Sequence, residues 1–387
     1  MASSLLSCAS QRRRVAIVPL LLAMLVACGT DAGKPRDGAV TVVLPRDAQE
    51  LDPRFSGDAY GHKISRLLFA SLVTIDPQTL EVVPDLAEEV VVEAPTRYRA
   101  LLRSGLKFSD GSTLDAEDVV ATFRGVVAPE LASRYAQSYR RITRVHAQDA
   151  RTVIFELDGP HATFLTDLEL PVMRAEDALQ HVAVLGAEPP VVSGPYLLAN
   201  REPGRIELRA NPHWHGGVPR HPHVRMLVIR DDNTRALRLR AGAGDIALNA
   251  IPPLLMPLFE SDPAFAVTSA PGVGTTYMGL NLEAKRLRDR RVRVALAHAI
   301  DRRTLIDAKL GGRARLARSW IVPGHWAFDD RTPAYEHDPD KARALLDAAG
   351  FPADAKGVRM RLSMRCGSDR FRVSIERAVG ALLREVG

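Results

Sequence analysis

The chain has 387 residues, of which 46% are hydrophobic and 25% charged, with a formal net charge of +6 and a pI of about 9.4. These values are ordinary for a globular protein and leave room for two or three domains. Aromatic residues make up only 5% of the chain, which argues against an aromatic platform for nucleic acid. A mild positive charge of this kind supports solubility and says little about partners.

The N-terminal residues predict an export signal of the lipoprotein type. Arg12–Arg14 form a basic start, and the uncharged run Val15–Ala27 has the length of a signal-peptide core but is too short to cross a bilayer comfortably. It ends in Leu25–Cys28, which resembles the lipobox of bacterial lipoproteins, where the Cys receives the lipid and becomes the new N-terminus. A cleaved signal with an incidental Cys is the alternative, and twin-arginine export fits the surrounding residues poorly.

The roles of the three cysteines follow from this prediction. We expect residues 1–28 to be a lipoprotein signal peptide, Cys28 to be the lipidated residue, and residues 29–39 to form a flexible polar tether. Cys8 would leave with the signal, and Cys366 would remain alone. The mature chain would therefore contain no intrachain disulfide, and it has no C-x-x-C motif for a metal or a redox reaction.

Strand-like and helix-like segments alternate after the tether without tandem repeats, which predicts an α/β or α+β fold. Short β-branched or alternating runs predict strands, and apolar residues at helical spacing predict helices. The predicted strands are 40–45, 97–103, 151–158, 205–210, 223–231, a short one ending near Leu248, 275–282 and 358–366. The predicted helices are 62–73, one beginning at Thr234, 291–300, 338–350 and 371–386.

Three carboxylates lie within four positions in the segment DGSTLDAEDVVATF: Asp115, Glu117 and Asp118. They could be a catalytic acid cluster, a metal site or the start of a helix. Asp115 has the position of an N-cap, and Asp118, three residues on, completes a capping box with Asp in the place of Glu. Negative charge in the first turn of a helix stabilises it by roughly 0.3–1 kcal/mol per residue. With no neighbouring His to form a catalytic pair, the sequence favours a helix start.

The same region, LKFSDGSTLDAEDVVATF, resembles the signature of the family 5 extracellular solute-binding proteins, the dipeptide, oligopeptide and nickel receptors of ABC importers. Further blocks resemble the family in order and spacing from about residue 41 to 387. They are LDPRFSGDAYGHKISRLLFASLVTIDP, VVPDLAEEV, SGPYLL, NPHWHGGVPRHPHV, AGAGDIAL and YMGLNLEAKRLRDRRVRVALAHAIDRRTLI.

The resemblance implies a two-lobed periplasmic-binding-protein-like fold, with ligand held in the cleft between lobes joined by a hinge. Residues 41–75 and 191–270 would form the first lobe, and residues 76–190 an extra subdomain of it. Residues 272–387 would belong to the second lobe. Because family members continue well past this position, we expect the second lobe to be incomplete in this sequence.

The resemblance also implies which segments would form the cleft wall. In the family, the loop before the first helix approaches the ligand, and in dipeptide receptors an Arg at the start of a late helix holds the ligand carboxylate. The acidic residue that would hold a peptide amine would fall beyond this sequence. The candidate ligand-binding residues are Ser56, Gly57 and Tyr60, then Tyr277 and Asn281, then Arg370 and Arg372.

Each of these candidates has a plainer interpretation. The Ser56–Tyr60 loop could be a simple connection. Tyr277 could belong to the core, since half of such residues do. The two Arg residues could be solvated side chains on a helix surface.

Two other patterns suggest different classes of function. His213, His215, His221 and His223 could chelate Ni²⁺ or Zn²⁺, although a surface cluster unrelated to metal is favoured because family ligands do not bind at this turn. Residues 291–312 superficially resemble a helix-turn-helix with basic flanks. An export signal argues against a DNA-binding protein. No G-x-S-x-G, H-E-x-x-H or P-loop motif indicates an enzyme.

The sequence therefore predicts a lipid-anchored substrate-binding protein of an ABC importer, most simply a receptor for di- or oligopeptides. A nickel or metal-complex receptor, or a receptor for another solute of the same family, is the alternative. We expect a monomer without cofactor or enzymatic activity, held at the extracytoplasmic face of the cell envelope by its lipid. Its partners would be an ABC permease and its ATPase subunits, and not nucleic acid.

Overall fold

The computed structural model describes residues 38–79, 81–180, 189–272, 274–323, 325 and 327–387. The predicted signal peptide, Cys28 and all but the end of the tether lie outside these residues. The chain divides into two compact units, unit 1 up to Ala250 and unit 2 from Ile251. No helix among the described residues has both the length and the apolar character needed to cross a membrane.

A five-stranded mixed sheet forms one part of unit 1, in the order β11-β1-β10-β9-β8. Strand β1 pairs in parallel with β10 and β11, and β10, β9 and β8 pair antiparallel. The helix α1 packs on this sheet through Ile64 and Leu68, which join one apolar cluster with Leu208 and Met226. The elements are β1 Val40–Leu44, α1 Ala59–Leu68, β8 Tyr196–Glu202, β9 Arg205–Ala210, β10 His223–Val228, α5 Asp232–Arg240 and β11 Ile246–Ala247.

A four-stranded antiparallel sheet, in the order β4-β5-β7-β6, forms the other part of unit 1. The helix α2 covers it, and Phe123 of α2 meets Phe155 of β7 edge-on, with ring centroids 4.9 Å apart. These two rings belong to a separate apolar cluster. The elements are β2 Val73–Ile75, β3 Val82–Pro84, β4 Ala87–Ala94, β5 Arg97–Leu102, α2 Ala116–Val127, α3 Ala136–Tyr139, β6 Ile142–Asp149, β7 Thr152–Leu157, α4 Phe164–Asp167 and a 3₁₀ turn at Ala175–Asp177.

The capping box predicted at the start of α2 is confirmed. Asp115 accepts a hydrogen bond from the backbone N–H of Glu117 at 2.9 Å, and Asp118 accepts one from the N–H of Asp115 at 2.9 Å. The second oxygen of Asp118 accepts from the N–H of Ala175 at 2.8 Å. The carboxylates therefore begin a helix and tie it to the 3₁₀ turn.

Two of the motifs recognised in the sequence meet at Asn211. Its buried side-chain amide donates to the carbonyl of Gly194 at 2.9 Å, and its side-chain oxygen accepts from the N–H of His213 at 3.0 Å. A Cβ at Gly194 would lie 2.6 Å from the carbonyl carbon of Leu68, so the close approach of the two backbones requires glycine. The SGPYLL and NPHW blocks thus hold the C-terminal end of α1 against the sheet.

Unit 2 is helical in its described residues. Its core is formed by Leu287, Val292, Leu296, Leu346 and Val386, with smaller neighbours. The elements are a 3₁₀ turn at Pro253–Leu255, α6 Pro257–Glu260, a 3₁₀ turn at Lys285–Leu287, α7 Arg290–Ala299, α8 Arg302–Leu310, α9 Pro339–Ala348 and α10 Arg370–Arg384.

The strands predicted at 275–282 and 358–366 are wrong. Neither segment has regular structure, and no described residue pairs with either of them in a ladder. The apolar residues of the first segment do not form one buried face, since Leu280 packs against the core of unit 2 whereas Tyr277 is 64% and Leu282 52% exposed. A strand needs a partner backbone as well as an alternating pattern, and alternation alone could not reveal whether one was present.

The helix predicted at 62–73 is also shifted. It begins at Ala59 because Asp58 accepts hydrogen bonds from the N–H groups of Tyr60 and Gly61. It ends at Leu68, where Phe69 turns extended at φ −125°, and the chain then forms β2. The apolar residues 69–73 are buried as connection and strand, and apolar spacing did not distinguish these from a further turn of helix.

Candidate functional site

The loop that precedes α1, LDPRFSGD at Leu51–Asp58, is anchored from beneath by a buried ion pair. The guanidinium of Arg54 lies 2.7 Å from one carboxylate oxygen of Asp52 and 3.0 Å from the other, and both side chains are fully buried. Arg54 also donates to the carbonyls of Ala178 at 2.7 Å and Gln180 at 2.6 Å. Because the carboxylate of Asp52 neutralises the charge of Arg54 and the carbonyls accept its remaining hydrogen bonds, the buried pair fixes the backbone of the loop.

A second set of contacts holds the loop from the segment before α3. The hydroxyl of Ser133 donates to the carbonyl of Arg54 at 2.8 Å, and the hydroxyl of Tyr135 donates to the carbonyl of Ser56. The same Tyr135 oxygen lies 2.9 Å from Nε2 of His62 on α1. The loop is thus clamped on two sides, although it has no regular structure of its own.

The three predicted residues in and just after this loop differ in how far they are exposed to solvent. Ser56 is fully buried, and its hydroxyl has no hydrogen-bond partner among the described residues. Gly57 is exposed. Tyr60 is half-buried, with Nζ of Lys63 6.0 Å from its ring centroid, and burial raises the pKa of its phenol. Of the three candidates, Gly57 in the loop and Tyr60 in the first turn of α1 are therefore the accessible ones.

Tyr277 and Asn281 lie in unit 2, and the contacts recorded for their side chains differ. The ring of Tyr277 packs on Trp320, with centroids 4.2 Å apart, and both rings are largely exposed. The side chain of Asn281 accepts from the N–H of Glu283 at 2.9 Å and so shapes the turn before the Lys285–Leu287 3₁₀ segment. Tyr277 offers an open aromatic face, whereas Asn281 already has a structural role.

Arg370 and Arg372 are in the first turn of α10. The N-cap Asp369 accepts from the backbone N–H of Arg372 at 3.1 Å. Arg370 lines an open cavity of about 740 Å³ together with Lys309 and Arg377. The other lining residues are Ser368, Val373, Ser374 and Ala378. Because Arg372 is not among them, the structure groups Arg370 with two cations that sequence reasoning missed.

The spacing of the cavity residues offers a signal for one of the missed cations. Arg370 and Arg377 are seven positions apart on α10 and therefore lie on one helix face. Lys309 comes from the last turn of α8, and nothing in the local sequence connects it with α10. The lining contains three cationic side chains and no carboxylate, an arrangement suited to an anionic group.

The histidine cluster does not form a metal centre in the part of the chain that the structure describes. His215 pairs with Asp85, Nε2 to Oδ1, at 3.0 Å, and His213, His221 and His223 are exposed. Across the described residues no group of three or more His, Cys, Asp or Glu side chains is arranged to hold a metal ion. His215 instead links the turn before β10 to the connection between β3 and β4.

Comparison with known proteins decides the family. The family model of bacterial extracellular solute-binding proteins, family 5 Middle, matches residues 81–386. The chain belongs to this family. Family 5 proteins are solute-binding proteins of ABC importers, and as extracellular proteins they act outside the cytoplasm.

Two curated relatives match most of this chain. Protein XP55 of Streptomyces lividans is 30% identical over 370 residues, which are 91% of this chain and 66% of XP55. A probable di/tripeptide-binding protein 5 of Pseudomonas aeruginosa is 31% identical over 312 residues, 74% of this chain and 59% of the relative. The chain thus spans less than two thirds of the length of either protein.

Solved structures share the fold. NikZ from Campylobacter jejuni in complex with Ni(L-His) superposes with a TM-score of 0.81 at 23% identity, over 92% of this chain and 73% of NikZ. The predicted α/β periplasmic-binding-protein-like fold is therefore confirmed, as is the predicted family. At this identity the likeness concerns the fold alone.

Proposed function

We propose that this family 5 protein is the substrate-binding component of an ABC importer and that its solute is a di- or oligopeptide. It captures the solute, releases it unchanged to a membrane permease with ATPase subunits, and needs no cofactor. The support is membership of the family together with a relative named as a probable di/tripeptide-binding protein.

The observation that carries the proposal is the doubly clamped loop Leu51–Asp58. Asp52 and Arg54 hold it from beneath, and Ser133 and Tyr135 hold it from the side. A loop fixed before binding loses little conformational entropy when a solute arrives. Gly57 is an exposed position of the fixed loop, and Tyr60 adds an aromatic face beside it.

The lobes are part of the proposal. Residues 41–75 and 191–270 would form the first lobe, 76–190 its extra subdomain and 272–387 the second lobe, with closure about a hinge around the solute. Supporting this assignment, the five-stranded sheet is built from strands of the first two ranges, whereas the four-stranded sheet comes from 87–157. Tyr277, Asn281, Arg370 and Arg372 would supply the second lobe's share of the site.

The anchor is also part of the proposal. The basic start, apolar run and LVAC sequence support lipidation at Cys28 and a protein tethered by residues 29–39 to the outer face of a membrane. The protein would act as a monomer, since one copy delivers one solute to the permease.

Ligand-dependent thermal unfolding of the full chain tests the proposed function. An equimolar tripeptide library should raise Tm in proportion to the logarithm of its concentration, since binding to the native state stabilises it. Mass spectrometry of the bound fraction should recover intact peptides. A Tm shift with nickel–histidine and none with the library would assign the metal-complex alternative. Recovery of hydrolysed peptides would overturn the receptor function.

A further inference from the structure

Arg134 lies directly over the exposed glycine of the clamped loop. Its Nη1 occupies the space that a Cβ at position 57 would fill, so a side chain there would displace the guanidinium. Gly57 is therefore the residue type that allows Arg134 to reach the loop. Arg134 is itself exposed and belongs to the segment between α2 and α3, more than seventy positions along the chain.

The backbone around Arg134 is held on both sides. Ser133 and Tyr135, its two neighbours, donate to the carbonyls of Arg54 and Ser56. Just before them, Ala132 adopts φ +52°, a left-handed conformation that is strained for a non-glycine residue. The guanidinium carbon lies 6.0 Å from the ring centroid of Tyr135. A strained, doubly tethered segment thus delivers a cation to the surface of the loop.

The charge at this position is not neutralised within the described part of the chain, where Arg134 makes no ion pair. The carboxylate of Asp58 accepts from the N–H groups of Tyr60, Gly61 and Gln49. Asp52 is paired with Arg54. The two acids of the loop therefore have hydrogen-bond or ion-pair partners close by in the chain, and neither forms an ion pair with Arg134.

We infer that Arg134 is a specificity-determining residue that binds a carboxylate of the solute above Gly57. A guanidinium presents parallel N–H donors that match the two oxygens of a carboxylate, and Lys does not reproduce this geometry. The inference rests on the proposed function, because it takes the Gly57–Tyr60 surface as part of the solute site. It adds the chemical class of the solute: one that carries a free carboxylate, at a peptide C-terminus or on an acidic side chain.

Three equimolar tripeptide libraries separate the two sources of carboxylate. The first has free C-termini and all residues, the second has C-terminal amides, and the third replaces Asp and Glu with Asn and Gln. Dissociation constants are measured for the full-length wild type, Arg134→Met and Arg134→Lys. Arg140→Met, which removes another exposed Arg after α3, is the control.

The wild type should bind one of the two modified libraries about tenfold or more weakly than the first library. The amide library identifies a C-terminal carboxylate, and the Asn/Gln library identifies an acidic side chain. Arg134→Met should bind the first library about tenfold or more weakly than the wild type does, and should no longer distinguish it from the library that lacks the carboxylate bound by Arg134. Arg134→Lys should recover only part of the affinity, and Arg140→Met should behave as the wild type. A second measurement uses the wild type alone: bound library should slow modification of Arg134 by phenylglyoxal while leaving Arg140 unaffected.

Failure of this inference is distinguishable from failure of the proposed function. A wild type that binds the first library while Arg134→Met keeps its affinity and preference, or while Arg134 stays unprotected, overturns the inference alone. A wild type that binds none of the libraries overturns the peptide receptor and the inference together.

Discussion

Asp52 and Arg54 form an ion pair in which both side chains are completely buried, two residues apart in the loop proposed to face the solute. Buried pairs of this kind add little net stability over an apolar core, but they are costly to break. Here Arg54 also satisfies the carbonyls of Ala178 and Gln180, which lie far along the chain. The pair specifies where the loop sits, and loss of either partner would leave buried polar groups without compensation.

Arg54→Met should therefore destabilise the protein severely. We expect a loss of about 3–5 kcal/mol in the free energy of unfolding, because the carboxylate of Asp52 stays buried without its partner. Urea unfolding of the full chain measures it. Arg141→Met is the control: it removes an exposed Arg paired with the exposed Asp158 and should cost about 0–1 kcal/mol. Equal effects of the two substitutions would contradict the role given to the buried pair.

Tyr135→Phe should weaken solute binding as well as the fold. It removes the hydroxyl that donates to the carbonyl of Ser56, so the loop loses one clamp at a cost of about 1 kcal/mol in stability. We expect a several-fold rise in Kd for the tripeptide library. Tyr196→Phe also removes a hydroxyl that donates to a carbonyl, that of His221, away from this loop, and should leave Kd unchanged. The same change in Kd in both variants would show that the hydrogen bond from Tyr135 to the loop does not contribute to solute binding.

Asp118 gives a pH dependence of known sign. Burial raises the pKa of this carboxyl, although the N–H groups of Asp115 and Ala175 act in the opposite direction. A raised native pKa means that the folded state binds the proton more tightly than the unfolded chain does. The stability that Asp118 gains from this proton is therefore fully present below its ordinary pKa and is lost as pH rises through its raised native pKa. The stability of the wild type relative to Asp118→Asn should fall with rising pH across that interval.

Asp110 provides the opposite sign as a control. Hydrogen bonds from the hydroxyl and the N–H of Ser112 lower the pKa of Asp110. The stability that ionised Asp110 contributes is therefore present above its ordinary pKa and is lost as pH falls through its lowered native pKa. Urea unfolding of the wild type, Asp118→Asn and Asp110→Asn as a function of pH should show the two opposite trends. A difference between the wild type and Asp118→Asn that rises with pH would refute the assignment.

Cys28→Ser should release the protein from membranes. Lipid attachment requires the thiol, and without the acyl chains the tether would no longer hold the protein at a bilayer. Fractionation of bacteria expressing the full chain should show the wild type with the membranes and the variant in the soluble extracytoplasmic fraction. Cys366→Ser, which replaces an exposed cysteine in unit 2, should leave the distribution unchanged. Retention of Cys28→Ser in the membranes would rule out lipid at this residue as the anchor.

The sequence predicted those parts of the fold whose signals are local. The capping box at Asp115 and Asp118 needs only four residues. The predicted strands of unit 1 carry alternation, as in β5, or β-branched residues, as in β7. The segments 275–282 and 358–366 alternate in the same way but have no described partner strand. Alternation describes a face that could be buried, and only the fold decides whether another backbone lies beside it.

The candidate site shows the same limit. The loop at Ser56–Tyr60 could be predicted as a connection with glycine before a capped helix, and family resemblance directed attention to it. The contacts that clamp it could not be predicted, because Ser133 and Tyr135 lie more than seventy positions away and belong to no recognisable motif. The burial of Ser56 depends on these distant contacts. Arg134 was missed for the same reason.

Native mass spectrometry of the full-length protein, purified gently and without added ligand, tests the central claim most directly. A solute that dissociates slowly would stay bound through the purification and appear as an adduct. The account predicts discrete adducts with the masses of short peptides, which appear intact and unmodified when the protein is denatured. A folded protein that carries no peptide and acquires none from a tripeptide library, or that converts the peptides it binds, would contradict it.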